Sequence, residues 1–423
     1  MNSDLQNGAL AGAVAACDAI GAAMLTRLTS RLGEDSGASG NVLACPVGLA
    51  LALATLRAGA ADNGTGIDAM LGVDTDAKTR DRVWSAVQRS LQRFDVADTQ
   101  QLQDFNPEAI PDTPLLHIAN NILAIGQTQP TQDYLGNAKR WYGAEVNRAE
   151  RPKAKAALDA WANLHTGGLI KESAINVTPL TRLVVQNALL FAARWAKHFN
   201  AAATAERQPF TRADGSTSRA DLMSRTGRLT FVTGPDWRAL RLRYVDGAGD
   251  SGSAGGSAAG SETLAMDVIL PRKVSSPIDL PPTTWGEATR RLTAAQTAGT
   301  TTNVHLRLPR LNLSSKPTDL TGVVKSLGVR LGFQDHIAPD LLVGQIVQQV
   351  KLVVAEAGTV AAALTEIKIR TGAPPRPEEP IDFTVDHPYV LRIVDLTSGI
   401  ALIEAAILDP AAGPQLPPPA PAE

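Results

Sequence analysis

Apolar positions along this chain change their period as the chain proceeds. Residues 8–32, 47–59, 66–72, 78–94, 132–142 and 153–165 carry helix-type spacing, and Gly33 stops the first of these segments. Residues 115–124 and 180–191 are dense apolar runs. The second contains LVVQNALLF, the pattern of a strand buried on both faces. Beyond residue 228 a period of two takes over, at 228–233, 238–244, 263–270 and 304–313. A helix follows at 319–327, and strands return at 347–356, 389–394 and 400–408. The mixture predicts one α+β domain over residues 8–410. Two stretches stand outside it: a Gly/Ser-rich insert at 246–262 that reads as a flexible surface loop, and a Pro-rich tail at 411–423 that reads as disordered.

One stretch does not fit a simple element. Residues 356–380 read EAGTVAAALTEIKIRTGAPPRPEEP. Taken alternately from Thr359, one face is Thr359, Ala361, Ala363, Thr365, Ile367, Ile369 and the other is Val360, Ala362, Leu364, Glu366, Lys368, Arg370. That is the alternation of a half-buried strand, ending on prolines that no packed element would hold. Two readings are open from the pattern alone. It is a strand with a loop attached, or a segment exposed in one state and inserted into a sheet in another.

Composition narrows the function classes. At 423 residues with 44% hydrophobic and 19% charged residues, the chain is of the soluble globular kind. A net charge of −2 gives no basic excess for binding nucleic acid. Cys17 and Cys45 are too few for a disulfide framework or a zinc site and lie among apolar residues, so buried free thiols are expected. Residues 8–25 resemble the apolar part of a secretion signal, but the first sixteen residues hold no Lys or Arg, and Asp18 interrupts the run. An amphipathic first helix, with no membrane span, is the expectation. GDSG at 249–252 matches the nucleophile signature of chymotrypsin-like proteases. No histidine motif of that family accompanies it, and it lies in a Gly/Ser tract, so no enzyme is expected. The six histidines are scattered, without HExxH or paired-Cys spacing, so structural or surface roles are expected and no metal or cofactor.

Ordered motifs then converge. NVLACP at 41–46 leads into an alanine-rich helix. Trp161 is followed by Thr166, Gly168 and Ile170. VQNA at 185–188 precedes Phe191 and Trp195. Met223, LPR at 308–310, EAGT at 356–359 before three alanines, and Phe383 through Pro388 complete the series. In this order they resemble the serpin family, over roughly residues 10–410. Departures are Cys45 and Gly48, where that family has small hydroxyl residues, Gln348 where it has a histidine, and Ala357 where it has a charge.

The resemblance implies a serpin-like single domain with three β-sheets, eight to nine helices and an exposed reactive-centre loop at about 356–382. It implies a serine protease inhibitor, not an enzyme, that acts by loop cleavage, acyl-enzyme trapping and insertion of the cut loop into the central sheet. The partner would be a serine protease held covalently by a monomer. The alternative is a non-inhibitory serpin, with a binding, carrier or chaperone-like role, whose loop is cleaved without trapping. The hinge would be Glu356, Gly358, Thr359, Ala361, Ala362 and Ala363. Family spacing places the reactive bond at Gly372-Ala373, whereas side-chain chemistry favours Arg370-Thr371. Asn187, Trp195, Gln348, Cys45 and Gly48 would form the region where the sheet opens, with an Asn187–Gln348 hydrogen bond expected there. Extracellular location follows from family habit, cytoplasmic if the chain is not exported.

Overall fold

The 180–191 run forms the centre of the molecule, as a strand over Leu183–Arg194. The structure is a computed structural model that describes residues 3–34, 40–61, 65–73, 77–106, 110–245, 263–343, 345–359, 379–414 and 416, with side chains from residue 8 onward and not at 33–34. The helices are α1 (Ser3–Glu34), α2 (Pro46–Leu56), α3 (Ile67–Met70), α4 (Ala77–Leu91), α5 (Thr99–Gln103), α6 (Gln132–Tyr142), α7 (Arg151–His165), α8 (Thr284–Thr297) and α9 (Thr321–Ser326). The first strands are β1 (Val42–Ala44), β2 (Leu115–Ile125), β3 (Glu145–Ala149), β4 (Leu183–Arg194), β5 (Ala205–Thr211), β6 (Thr217–Thr233), β7 (Trp237–Arg243) and β8 (Leu264–Pro271). They continue as β9 (Thr302–Pro309), β10 (Leu311–Ser314), β11 (Thr318–Asp319), β12 (Val347–Gln348), β13 (Lys351–Ala355), β14 (Gly358–Thr359), β15 (Ile381–Thr384), β16 (Tyr389–Asp395) and β17 (Ala401–Ile407).

Local chemistry accounts for several of these boundaries. Pro46 opens α2, where its fixed φ suits a first turn and no donor is lost. The Thr131 hydroxyl accepts from the Tyr134 amide to cap α6, and Gly143 ends it at φ +58°, a conformation that favours glycine. The expected strand at 347–356 is broken into β12 and β13, because Val350 leaves the ladder: its amide donates to Ser315 Oγ at 2.8 Å.

Three sheets result. A nine-stranded sheet runs β1-β17-β16-β8-β7-β6-β9-β15, with β5 on β6, and a two-stranded ribbon joins β11 to β12. The third sheet, in the order β10-β13-β14-β4-β2-β3, carries the site. Helix α2 packs under it and α7 lies across its other face. The insert at 246–262, and residues 415 and 417–423 of the tail, lie outside the described residues.

Helix α1 bears on the expectation of a first helix that spans no membrane. Its Gly8–Leu32 segment is long and apolar enough to cross a membrane by length and composition. Its side chains explain that content otherwise. Ala13, Cys17, Ile20, Met24 and Leu25 are fully buried in the core, and Asp18 pairs with the buried Arg392 of β16. Both cysteines are buried free thiols, as expected.

Candidate functional site

The site is built where the chain leaves β13, turns, and re-enters the same sheet. β14 consists of two residues seated between β13 and β4, antiparallel to both. Gly358 stands opposite Ala355 on one side and Arg194 on the other, and Thr359 opposite Val354 and Ala193. A Cβ on Gly358 would lie 2.3 Å from the Ala193 carbonyl oxygen and 2.9 Å from Arg194 Cα, so backbone this close admits only glycine.

The turn before it is heavily bonded. The Trp195 amide donates to Ala357 O at 3.0 Å and the Phe199 amide to Glu356 O at 3.0 Å. The Trp195 indole N–H donates to Ala355 O at 2.9 Å. The Glu356 carboxylate accepts from the Thr204 hydroxyl at 2.8 Å and pairs with Arg310 at 3.2 Å. His198 Nδ1 lies 3.2 Å from Ala357 O.

Thr359 points inward, as its place in the alternation predicts. It is 1% exposed, and its hydroxyl meets the Tyr244 hydroxyl at 2.6 Å. Tyr244 stacks on Trp195 with ring centroids 4.6 Å apart and meets Phe191 edge-on. Burial pushes its phenol well above the usual range, so it remains a neutral hydrogen-bonding group.

Below Thr359 the sheet is split. Residues 183–192 of β4 are paired to β2 on one side, and among the described residues they have no partner strand on the other. Residues 351–353 of β13 likewise pair only with β10. Between the two edges runs a groove of about 440 Å³. Leu49 and Leu53 of α2 line its floor, Val185 and Leu352 its sides, and Trp161 and Thr166 its α7 wall.

The expected sheet-opening residues gather here, with one change of partner. Gln348 does not bond Asn187. Its side chain clamps the backbone of Cys45, accepting from Cys45 N at 2.8 Å and donating to Cys45 O at 3.0 Å. The Cys45 carbonyl already accepts from the Leu49 amide at 3.2 Å, so the Gln348 amide supplies the partner that the Cys45 N–H lacks and adds a second donor to that oxygen. Asn187 instead donates to Ala119 O at 3.2 Å and Asn120 Oδ1 at 3.0 Å across the β2 ladder. Gly48 leaves room for this, since a Cβ there would meet Asn187 Oδ1 at 2.7 Å and Cys45 Sγ at 2.9 Å.

Of the remaining expected site residues, Ala361, Ala362, Ala363, Arg370, Thr371, Gly372 and Ala373 lie outside the described residues. Sequence reasoning missed Tyr244, Thr204 and Arg310, because each reaches the hinge from a strand or turn distant in the chain.

Comparison with known proteins agrees with this architecture. The family model described as "Serpin (serine protease inhibitor)" matches residues 22–410. The chain belongs to the serpin family. A serpin-like protein of Thermococcus kodakarensis is 27% identical over 67% of this chain, which spans 63% of that relative's length. Plasminogen activator inhibitor 1 of Neovison vison is 24% identical over 81% of this chain and 84% of its own. Human thyroxine-binding globulin, solved in complex with thyroxine, superposes with a TM-score of 0.72 at 18% identity, over 93% of this chain and 98% of that one.

Proposed function

We propose that this protein inhibits serine proteases by offering residues 360–378 as a substrate and inserting the cut segment between β13 and β4. The observation that carries the reading is β14, two residues already in register at the head of a split sheet. Continued downward, that register sets Val360 opposite Ala192 and Ile369 opposite Leu183, so residues 360–369 match the free edge of β4 in length. Insertion would then place Ala361, Ala363, Thr365, Ile367 and Ile369 on the face that Thr359 already buries. These are small at the start and apolar later, with no charge or proline to obstruct entry.

The driving force has a simple scale. Roughly ten inserted residues, each gaining a net hydrogen bond of about 1 kcal/mol, release on the order of 10 kcal/mol before apolar burial is added. In this register both candidate bonds, Arg370-Thr371 and Gly372-Ala373, fall just beyond the base of the groove. A trypsin-like protease suits the first, and an elastase-like or subtilisin-like protease the second. Incubation with a panel of such proteases tests the reading. A band that survives SDS, with a released C-terminal peptide beginning at Thr371 or Ala373, is the expected result. Clean cleavage without a stable complex contradicts it.

That second outcome has an observation behind it. Thyroxine-binding globulin, by its name a thyroxine binder, shares the fold. A non-inhibitory role for this chain would leave the loop a plain substrate.

A further inference from the structure

Two histidines that the sequence scatters, His117 of β2 and His165 at the end of α7, are buried against each other, with rings stacked at 5.2 Å. They form the middle of a four-residue chain. Asp95 Oδ1 lies 2.6 Å from His117 Nδ1, His117 Nε2 lies 2.9 Å from His165 Nδ1, and His165 Nε2 lies 3.1 Å from Glu145 Oε1. The Trp161 indole donates to the other Glu145 oxygen at 3.0 Å. The chain therefore ties the last turn of α7 to β2, to β3 and to the turn after α4.

Counting hydrogens shows why this is more than packing. Ionised carboxylates only accept, so His117 Nδ1 and His165 Nε2 must each carry a hydrogen. The central contact needs one more, and only one, between two ring nitrogens. Three hydrogens on two rings is one more than two neutral imidazoles hold. All three contacts are hydrogen bonds only when the pair carries a single positive charge between the two carboxylates. With one proton fewer, one of the three contacts must lose its hydrogen, either between the two ring nitrogens or between a ring nitrogen and a carboxylate, and two lone pairs then face each other. With one more, two N–H groups confront each other at 2.9 Å.

We infer that Asp95, His117, His165 and Glu145 form a one-proton latch that holds α7 on the sheet over a limited range of pH and releases it on either side. Among the described residues, the neighbouring carboxylates of α5 and α7 are engaged elsewhere. Asp98 and Asp104, at the ends of α5, are bonded to the Gln101 amide and the Gln100 side chain, and Asp159 of α7 to Lys155 and Ser173. α5 and β4 contribute the apolar Leu102 and Leu190. The hydrogen bond from His165 also holds the Glu145 carboxyl below its ordinary range, which keeps that end of the chain ionised as pH falls.

The latch bears on function because Trp161, Ala162 and Thr166, on either side of His165, form the α7 wall of the groove. Releasing α7 would ease entry of a strand. This consequence rests on the proposed loop insertion, whereas the latch itself does not.

Amide hydrogen exchange of residues 158–168 in the intact free protein, from pH 5 to 9 and corrected for intrinsic rates, tests the latch. Protection is expected to pass through a maximum and fall about tenfold, equivalent to about 1.4 kcal/mol, away from it. His117→Phe should make the profile flat. Asp95→Leu, at a partly exposed site, removes the need for the third hydrogen and should abolish the alkaline fall. A pH-independent profile in the wild type, or either variant reproducing the wild-type profile, overturns the inference. In a protease assay, His117→Phe should raise the trapped fraction relative to the cleaved fraction, and an unchanged ratio overturns the gating role. Absence of any trapped complex would instead count against loop insertion and leave the exchange result standing.

Discussion

Thr359 is the first residue of the loop segment to face the core, and its surroundings specify what can stand there. At 1% exposure, against Tyr244 and the Trp195 stack, the position has room for a small hydroxyl and no means of solvating a charge. Thr359→Arg should therefore block entry at the first inward position. The expected outcome is a chain cleaved by the same protease, with at least a tenfold drop in the trapped fraction, measured by densitometry of SDS gels. Gly48 supports a second prediction at this scale. A side chain there meets Asn187 Oδ1 and Cys45 Sγ at distances that real contacts do not tolerate. Gly48→Ser, although it would restore the family's usual hydroxyl, should cost about 1–3 kcal/mol in urea denaturation, because Cys45 already occupies that space.

At the scale of elements, α7 and its contacts to β3 make stability depend on pH. The His165 hydrogen bond lowers the Glu145 carboxyl in the folded state. Its contribution is therefore present above the ordinary carboxylate range and lost as pH falls through the lowered folded value. The difference in denaturation midpoint between wild type and Glu145→Gln should shrink steadily from pH 6 to pH 3, and a constant difference contradicts the assignment. Elements were also where the sequence was most readable. Apolar runs marked β2, α6, α7 and β16 to within a few residues, since periodicity follows directly from burial. α8 passed unnoticed, as did β3 and β5, whose polar exposed faces carry no such signal. Gly358 and Thr359 were legible, because a glycine pressed against neighbouring backbone and a small inward residue are local requirements. Gln348's bond to Cys45 was not, because the nearest family precedent pointed to Asn187, and only the fold reveals which buried backbone groups at the start of α2 need a partner.

For the whole molecule, burial and ion pairing fix the frame within which one strand can be added. Arg392 is fully buried in β16, paired with Glu404 at 2.9 Å and with Asp18 of α1, and so joins the first helix to the last hairpin. Arg392→Met should destabilise the protein by about 3–5 kcal/mol, because the fully buried Glu404 would lose its cation, whereas Asp18 keeps Arg290. The same frame explains why α1 is a core helix here: one face is buried in the core, and Asp18 pairs with the buried Arg392. Against this fixed background the split between β13 and β4 stands out as the place where a further strand would complete the sheet. The central claim is that residues 360–369 are that strand, withheld until the loop is cut. Thermal unfolding before and after a single cleavage within residues 370–373 tests it most directly. A rise in Tm of tens of degrees, with the cut chain remaining associated, is the predicted result, and an unchanged or lower Tm would contradict the account.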